Sequence, residues 1–125
     1  MLESGSDVAT GVWEAPVPGS TSVVSYAEGC AALSAAHRAG RLSASGHRRA
    51  RADFDSLQEE LAVIGVDQPL ARHAGALAER FALRGHDAVH LACALSLRGE
   101  VTVVSWDGDL RRAAAASGCA LAPPA

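Results

Sequence analysis

At 125 residues, 49% of them hydrophobic and 20% charged, the chain is sized for a single globular domain over residues 1–125, and its composition excludes intrinsic disorder. A formal net charge of -3 excludes a general attraction to nucleic acid, so any such binding must come from a local patch or a bound metal ion. No run reaches the roughly 20 apolar residues of a membrane span, and the first residues lack a basic region followed by an apolar stretch, so the expected location is the cytoplasm with no membrane partner.

In chain order, Ser6 to Trp13 reads as a short helix, broken by Pro16, Pro18 and Gly19 before the β-branched run Thr21 to Val24. A helix follows from about Tyr26 to Ala39, with Ser25 as its expected N-cap and Gly40 as its stop. Ser43 to about Leu61 has helical composition, and Ala62 to Val66 suits an edge strand. Pro69 opens the next helix, which is expected to end near Gly85. From Asp87 onward Ala88, Leu91, Ala92 and Leu95 fall at i, i+3, i+4 and i+7, the spacing of a helix with one buried face. Val101 to Val104 is the continuous apolar run of a buried parallel strand, Leu110 to Ser117 is helical, and Ala120-Leu121 suits a last edge strand before Pro123-Pro124. Short strands alternating with helices predict an α/β fold with a parallel sheet.

Three acids follow or flank the apolar runs: Glu28, Asp87 and Asp107. The carboxyl ends of parallel strands line one crevice, so acids that follow strands or open the adjoining helices converge there although distant in sequence. Converging carboxylates repel one another unless a cation sits among them, and oxygen ligands of this kind suit Mg²⁺ or Mn²⁺. Each acid has a purely structural alternative. Ser25-x-x-Glu28 has the form of a capping box, Asp87 is a first-turn acid favoured by the helix dipole, and Asp107 or Asp109 is placed to cap the last helix.

His86 and His90 share a helix face, but no third histidine or cysteine lies near in sequence to complete a zinc site; His90 reads as mostly buried and His86 as flanking the crevice. His47-Arg48-Arg49-Ala50-Arg51 is the densest basic stretch, either a solvated helix face or a phosphate-contacting strip. Aromatic residues make up only 4% of the chain, which disfavours a base-stacking platform. Cys30, Cys93 and Cys119 are odd in number and lie among small apolar neighbours, so they are expected to be reduced, buried thiols.

The stretches Thr21-Ser22 to Glu28, Leu83-Arg84-Gly85-His86-Asp87-Ala88-Val89-His90-Leu91-Ala92-Cys93-Ala94 and Val103-Val104-Ser105-Trp106-Asp107-Gly108-Asp109-Leu110-Arg111-Arg112, with Gly118 before the closing strand, resemble the PIN domain, most closely the VapC-type toxins of bacterial toxin–antitoxin pairs. The resemblance implies a three-layer α/β/α fold with a small parallel sheet, and a Mg²⁺- or Mn²⁺-dependent ribonuclease of a type II toxin–antitoxin system. It further implies an RNA substrate, a cognate antitoxin partner and a homodimer. By position it makes Glu28, Asp87 and Asp107 metal-coordinating acids, Ser105 a site hydroxyl and Ser22 a weaker neighbour.

In the family the chain opens with a central strand ending in a further metal-binding Asp, whereas Leu2 to Asp7 aligns with residues that follow that acid, so roughly ten to twenty residues are expected to be absent. Two expectations follow from the resemblance. The chain as given is nearly inactive, the alternative role being a scaffold that binds RNA or an antitoxin without cutting. The Thr21 to Val24 and Val101 to Val104 strands also lose their shared neighbour, and either pair with each other or recruit a second copy.

Overall fold

Short parallel strands and longer helices alternate through the computed structural model, which describes residues 19–124. The order is β1 (Ser20–Ser22), α1 (Ser25–Arg38), α2 (Ala44–Glu60), β2 (Ala62–Ile64), α3 (Gln68–Phe81), α4 (Gly85–Leu95), β3 (Thr102–Val104), α5 (Gly108–Ala116) and β4 (Ala120–Ala122). The helix expected over residues 6–13 lies outside the described residues. The elements fall into two compact units, one spanning Gly19–Ile64 and the other, among the described residues, 65–124. Among the described residues the strands form two parallel two-stranded ladders, β1–β2 and β3–β4.

In the Gly19–Ile64 unit, β1 runs parallel to β2 with Ser20 opposite Ala62, Thr21 opposite Val63 and Ser22 opposite Ile64. The strand stops two residues earlier than its β-branched run suggests, because Val24 turns into the right-handed helical region (φ -80°, ψ -16°) and becomes the N-cap of α1. Ser25, expected to be that cap, is the first helical residue, and its hydroxyl instead accepts a 2.7 Å hydrogen bond from Thr21. The α2 helix is capped as its sequence suggests, Ser43 Oγ accepting from Gly46 N at 3.0 Å. The two helices meet through the stacked rings of Tyr26 and Phe54, 5.6 Å apart and inclined by 11°, a spacing within the favourable range for aromatic pairs. Gly29 lies so close under Phe54 that a side chain there would overlap the ring. Neither α1 nor α2 has a fully buried residue, so this unit is thinly packed.

The 65–124 unit holds a continuous apolar core. Asp67 caps α3 by accepting from Leu70 N at 2.9 Å, with Pro69 in the first turn where its missing N–H costs nothing. The helix ends at Phe81, ahead of the expected stop near Gly85, because Ala82 takes up a left-handed conformation (φ 54°). That turn leaves Arg84 at the N-cap of α4. Ala88, Leu91 and Ala92 of α4 are buried as their spacing predicts, and Leu95 packs against the core edge. They meet Ala74 and Leu77 of α3 and Leu110, Ala113 and Ala114 of α5. Leu91 is fully buried, which contributes about 1.5–3 kcal/mol of hydrophobic stabilisation. Strand β3 pairs in parallel with β4, Thr102 opposite Ala120, Val103 opposite Leu121 and Val104 opposite Ala122, and both strands lay side chains on this core.

Candidate functional site

The start of α4 and the loop from β3 into α5 bring Arg84, Asp87, Ser105 and Asp107 together within the 65–124 unit. Asp87, in the first turn of α4, is only 5% exposed. A buried carboxylate needs hydrogen-bonded counter-charge, and Arg84, three residues earlier, supplies it. Its Nε donates to Asp87 Oδ2 at 3.1 Å and its Nη2 lies 3.0 Å from the same oxygen. His86 Nε2 stands 3.5 Å from the other oxygen, Oδ1.

Asp107 divides its two oxygens between two tasks. Oδ1 accepts from Leu110 N at 2.9 Å and so caps α5, while Oδ2 accepts from Arg84 Nη2 at 3.0 Å. The cap expected of Asp107 is therefore present, and so is a second bond that capping does not require. Ser105, nearly buried, accepts from Asp107 N through Oγ at 3.1 Å and fixes the turn that presents the acid. Arg111 secures the same loop: it donates to the carbonyl of Ser105 at 2.9 Å and to that of Pro123 at 2.6 Å, tying the end of β3 to the segment after β4.

One guanidinium nitrogen thus lies 3.0 Å from an oxygen of each of two carboxylates 20 positions apart in the chain. The hydrogen bond and charge of Asp87, with Asp107 and Asp109 beyond it, hold the Arg84 guanidinium pKa above its ordinary value, so it is cationic at every working pH. Two carboxylates that already converge on one positive point form an oxygen-only donor pair, the chemistry Mg²⁺ and Mn²⁺ prefer. Among the described residues no group of three or more His, Cys, Asp or Glu side chains is arranged to hold a metal ion. Sequence reasoning named Asp87, Asp107 and Ser105 and assigned no role to Arg84 or Arg111. The i, i+3 spacing of Arg84 and Asp87 at a helix start was the available signal for the first.

Glu28 belongs to the other unit, half-buried on α1, where its amide donates to Val24 O at 3.2 Å. With Val24 as the cap and no side-chain cap bond at that position, Ser25 is not the N-cap that a capping box with Glu28 requires. Ser22, at the end of β1, is 2% exposed. On α4 His86 is exposed, and His90 is mostly buried, as its place in the sequence suggests. Arg48, Arg49 and Arg51 project into solvent on α2, but Arg51 is engaged by Asp55 at 3.3 Å and by the hydroxyl of Tyr26 at 2.8 Å. The three cysteines are free thiols; only Cys93 is buried, whereas Cys30 and Cys119, expected to be buried as well, are half-buried because α1 has no fully buried position and Cys119 borders the core. Burial pushes the Cys93 and Cys119 thiols up from their ordinary pKa. No helix among the described residues is long and apolar enough to cross a membrane.

A family model of the PIN domain matches residues 3–116, a span that runs through both units. Ribonuclease VapC45 of Mycobacterium tuberculosis (strain CDC 1551 / Oshkosh) and Ribonuclease VapC49 of Mycobacterium tuberculosis (strain ATCC 25618 / H37Rv) are each 38% identical to the chain over 122 residues, covering 97% of it and 85% of the relative. The alternation of helices with short parallel strands agrees with the match, and the chain belongs to the PIN domain family.

Proposed function

We propose that the chain is a metal-dependent endoribonuclease of the VapC toxin type, acting on RNA in the cytoplasm as the toxin of a type II toxin–antitoxin pair and restrained by a cognate antitoxin. The observation that carries this reading is the convergence of Asp87 and Asp107 on a single cationic nitrogen; the 38% identity to relatives named ribonucleases supports it. Asp87 and Asp107 are the metal-holding acids in this reading, with Glu28 as the third by its place in the family pattern. A bound Mg²⁺ or Mn²⁺ would supply water activation and offset charge on the scissile phosphate. The chain's own part is to hold the donors still. Burial anchors Asp87, the Leu110 amide anchors Asp107, and Ser105 holds the turn between them and the strand. The homodimer belongs to the same reading, supported by the exposed apolar side chains of Val23, Tyr26, Leu57 and Val63.

A second reading is favoured by the occupation of both acids by Arg84: a PIN scaffold that binds RNA or an antitoxin without cutting. One experiment separates the two. Mn²⁺ binding to the 125-residue chain is measured by calorimetry beside cleavage of labelled single-stranded RNA, for the unaltered chain and for Asp87→Asn. Metal uptake with at most slow metal-dependent cleavage by the unaltered chain, both lost in Asp87→Asn, is the expected result. RNA retention without cleavage would assign the scaffold role, and metal-independent cleavage unaffected by Asp87→Asn would overturn the assignment of the acids.

A further inference from the structure

We propose that Arg84 is the resident cation of the acid pair, holding Asp87 and Asp107 at the spacing of one shared positive charge, and that a divalent ion enters only by displacing it. The proposal rests on the metal-centre reading above and adds to it a competitor built into the chain.

The geometry allows one occupant at a time. Arg84 Nη2 is 3.0 Å from Asp87 Oδ2 and 3.0 Å from Asp107 Oδ2. A Mg²⁺ or Mn²⁺ ion bound to those same oxygens at about 2.0–2.2 Å would overlap that nitrogen and face its charge. The charges point the same way. Two carboxylates brought together repel, and the guanidinium between them offsets that repulsion. Two of the neighbouring charges are engaged elsewhere, Asp109 with Arg112 and Arg111 with two backbone carbonyls, while His86 stands 3.5 Å from Asp87 Oδ1.

Exposure decides which partner yields. The Asp87 side chain is 8% exposed and that of Asp107 35%, each with its backbone at a helix start, whereas the Arg84 side chain is 65% exposed. When a stronger cation arrives, the carboxylates have nowhere to go and the guanidinium can return to water with little lost. Exposed ion pairs are weak, so the hold is a bias that metal overcomes and not a lock.

The test is the sign of a change in metal affinity. Calorimetric Mn²⁺ titrations would compare the unaltered chain, Arg84→Gln, Arg84→Lys and Asp87→Asn, each checked for folding by circular dichroism. If the guanidinium holds the pair about nine-tenths of the time, apparent affinity is lowered about tenfold, so Arg84→Gln should bind Mn²⁺ about tenfold more tightly and Arg84→Lys should fall between. A merely structural role predicts the opposite sign. Equal or weaker binding by folded Arg84→Gln overturns the proposal and leaves the metal centre standing. Absence of Mn²⁺ uptake by both the unaltered chain and folded Arg84→Gln overturns the metal centre itself, and the proposal with it. Should Arg84→Gln fail to fold, the unaltered chain carries the test: the Arg84 Nε–H resonance should shift as Mg²⁺ saturates the site, and a resonance that Mg²⁺ leaves unmoved overturns the displacement.

Discussion

Replacing Asp107 by asparagine and, separately, by alanine tests whether its two oxygens do two different jobs. Asparagine keeps a carbonyl oxygen that can accept from Leu110 N, and it caps helices about as well as aspartate, but it has no charge to share with Arg84. Its loss is then that of a largely exposed ion pair, which is small after screening by solvent. Alanine loses the cap too, which adds about 1 kcal/mol, and the loss is felt because α5 contributes Leu110, Ala113 and Ala114 to the core. For a chain of this length 1 kcal/mol corresponds to about 3–5 °C in Tm. Urea unfolding followed by circular dichroism should therefore give Asp107→Asn a stability close to the unaltered chain and Asp107→Ala a clearly lower one, while Mn²⁺ titration should find affinity lost in both. Equal destabilisation by the two substitutions would refute the capping assignment. Unchanged Mn²⁺ affinity in Asp107→Asn would refute the metal role and leave Asp107 as a cap alone.

Leu91→Ala should cost about 2–5 kcal/mol, because Leu91 is fully buried between helices that cannot collapse into the space, and a shift in urea midpoint too small to resolve would contradict that packing. Gly29→Ala should destabilise the chain although alanine is the better helix former by about 1 kcal/mol, since the methyl overlaps the Phe54 ring; a gain in Tm would show that α1 and α2 separate freely. Stability should fall at alkaline pH. In the unfolded chain Cys93 and Cys119 ionise near the ordinary value of 9.0, but burial raises both thiols in the folded state, so the folded form holds more protons and its advantage, complete below 9.0, is lost as pH rises above it. Melts across that range should show the decline, and Cys93→Ala should make it shallower; an undiminished decline in that variant would assign it to other groups.

Much of the framework could be read from local pattern. The i, i+3, i+4, i+7 spacing of Ala88, Leu91, Ala92 and Leu95 marks the buried face of α4, and the apolar run before Ser105 marks β3, because a side chain's direction follows from the period of its own element. Asp107 as a cap and Pro69 in a first turn are equally local, each satisfying backbone groups within a few residues. Where local signals competed, tertiary context chose: Ser25 and Glu28 have the form of a capping box, yet Val24 ends the strand by turning helical and takes the cap position. The end of α3 at Ala82 carries no sequence signal, since alanine rarely adopts the left-handed conformation it takes there.

What the sequence by itself determined, then, is the list of elements among the described residues and the buried stripe of α4, both of which depend on residues within a turn or two of one another. Only the tertiary structure decided that Asp87 and Asp107 share one guanidinium and that the strands divide into two ladders. The physical reason is the same for both. Side chains meet across 20 positions of chain only where packed helices and strand ends deliver them to one point, and that delivery is set by the Leu91-centred core and by the loop that Arg111 ties down, not by the pattern of either segment alone.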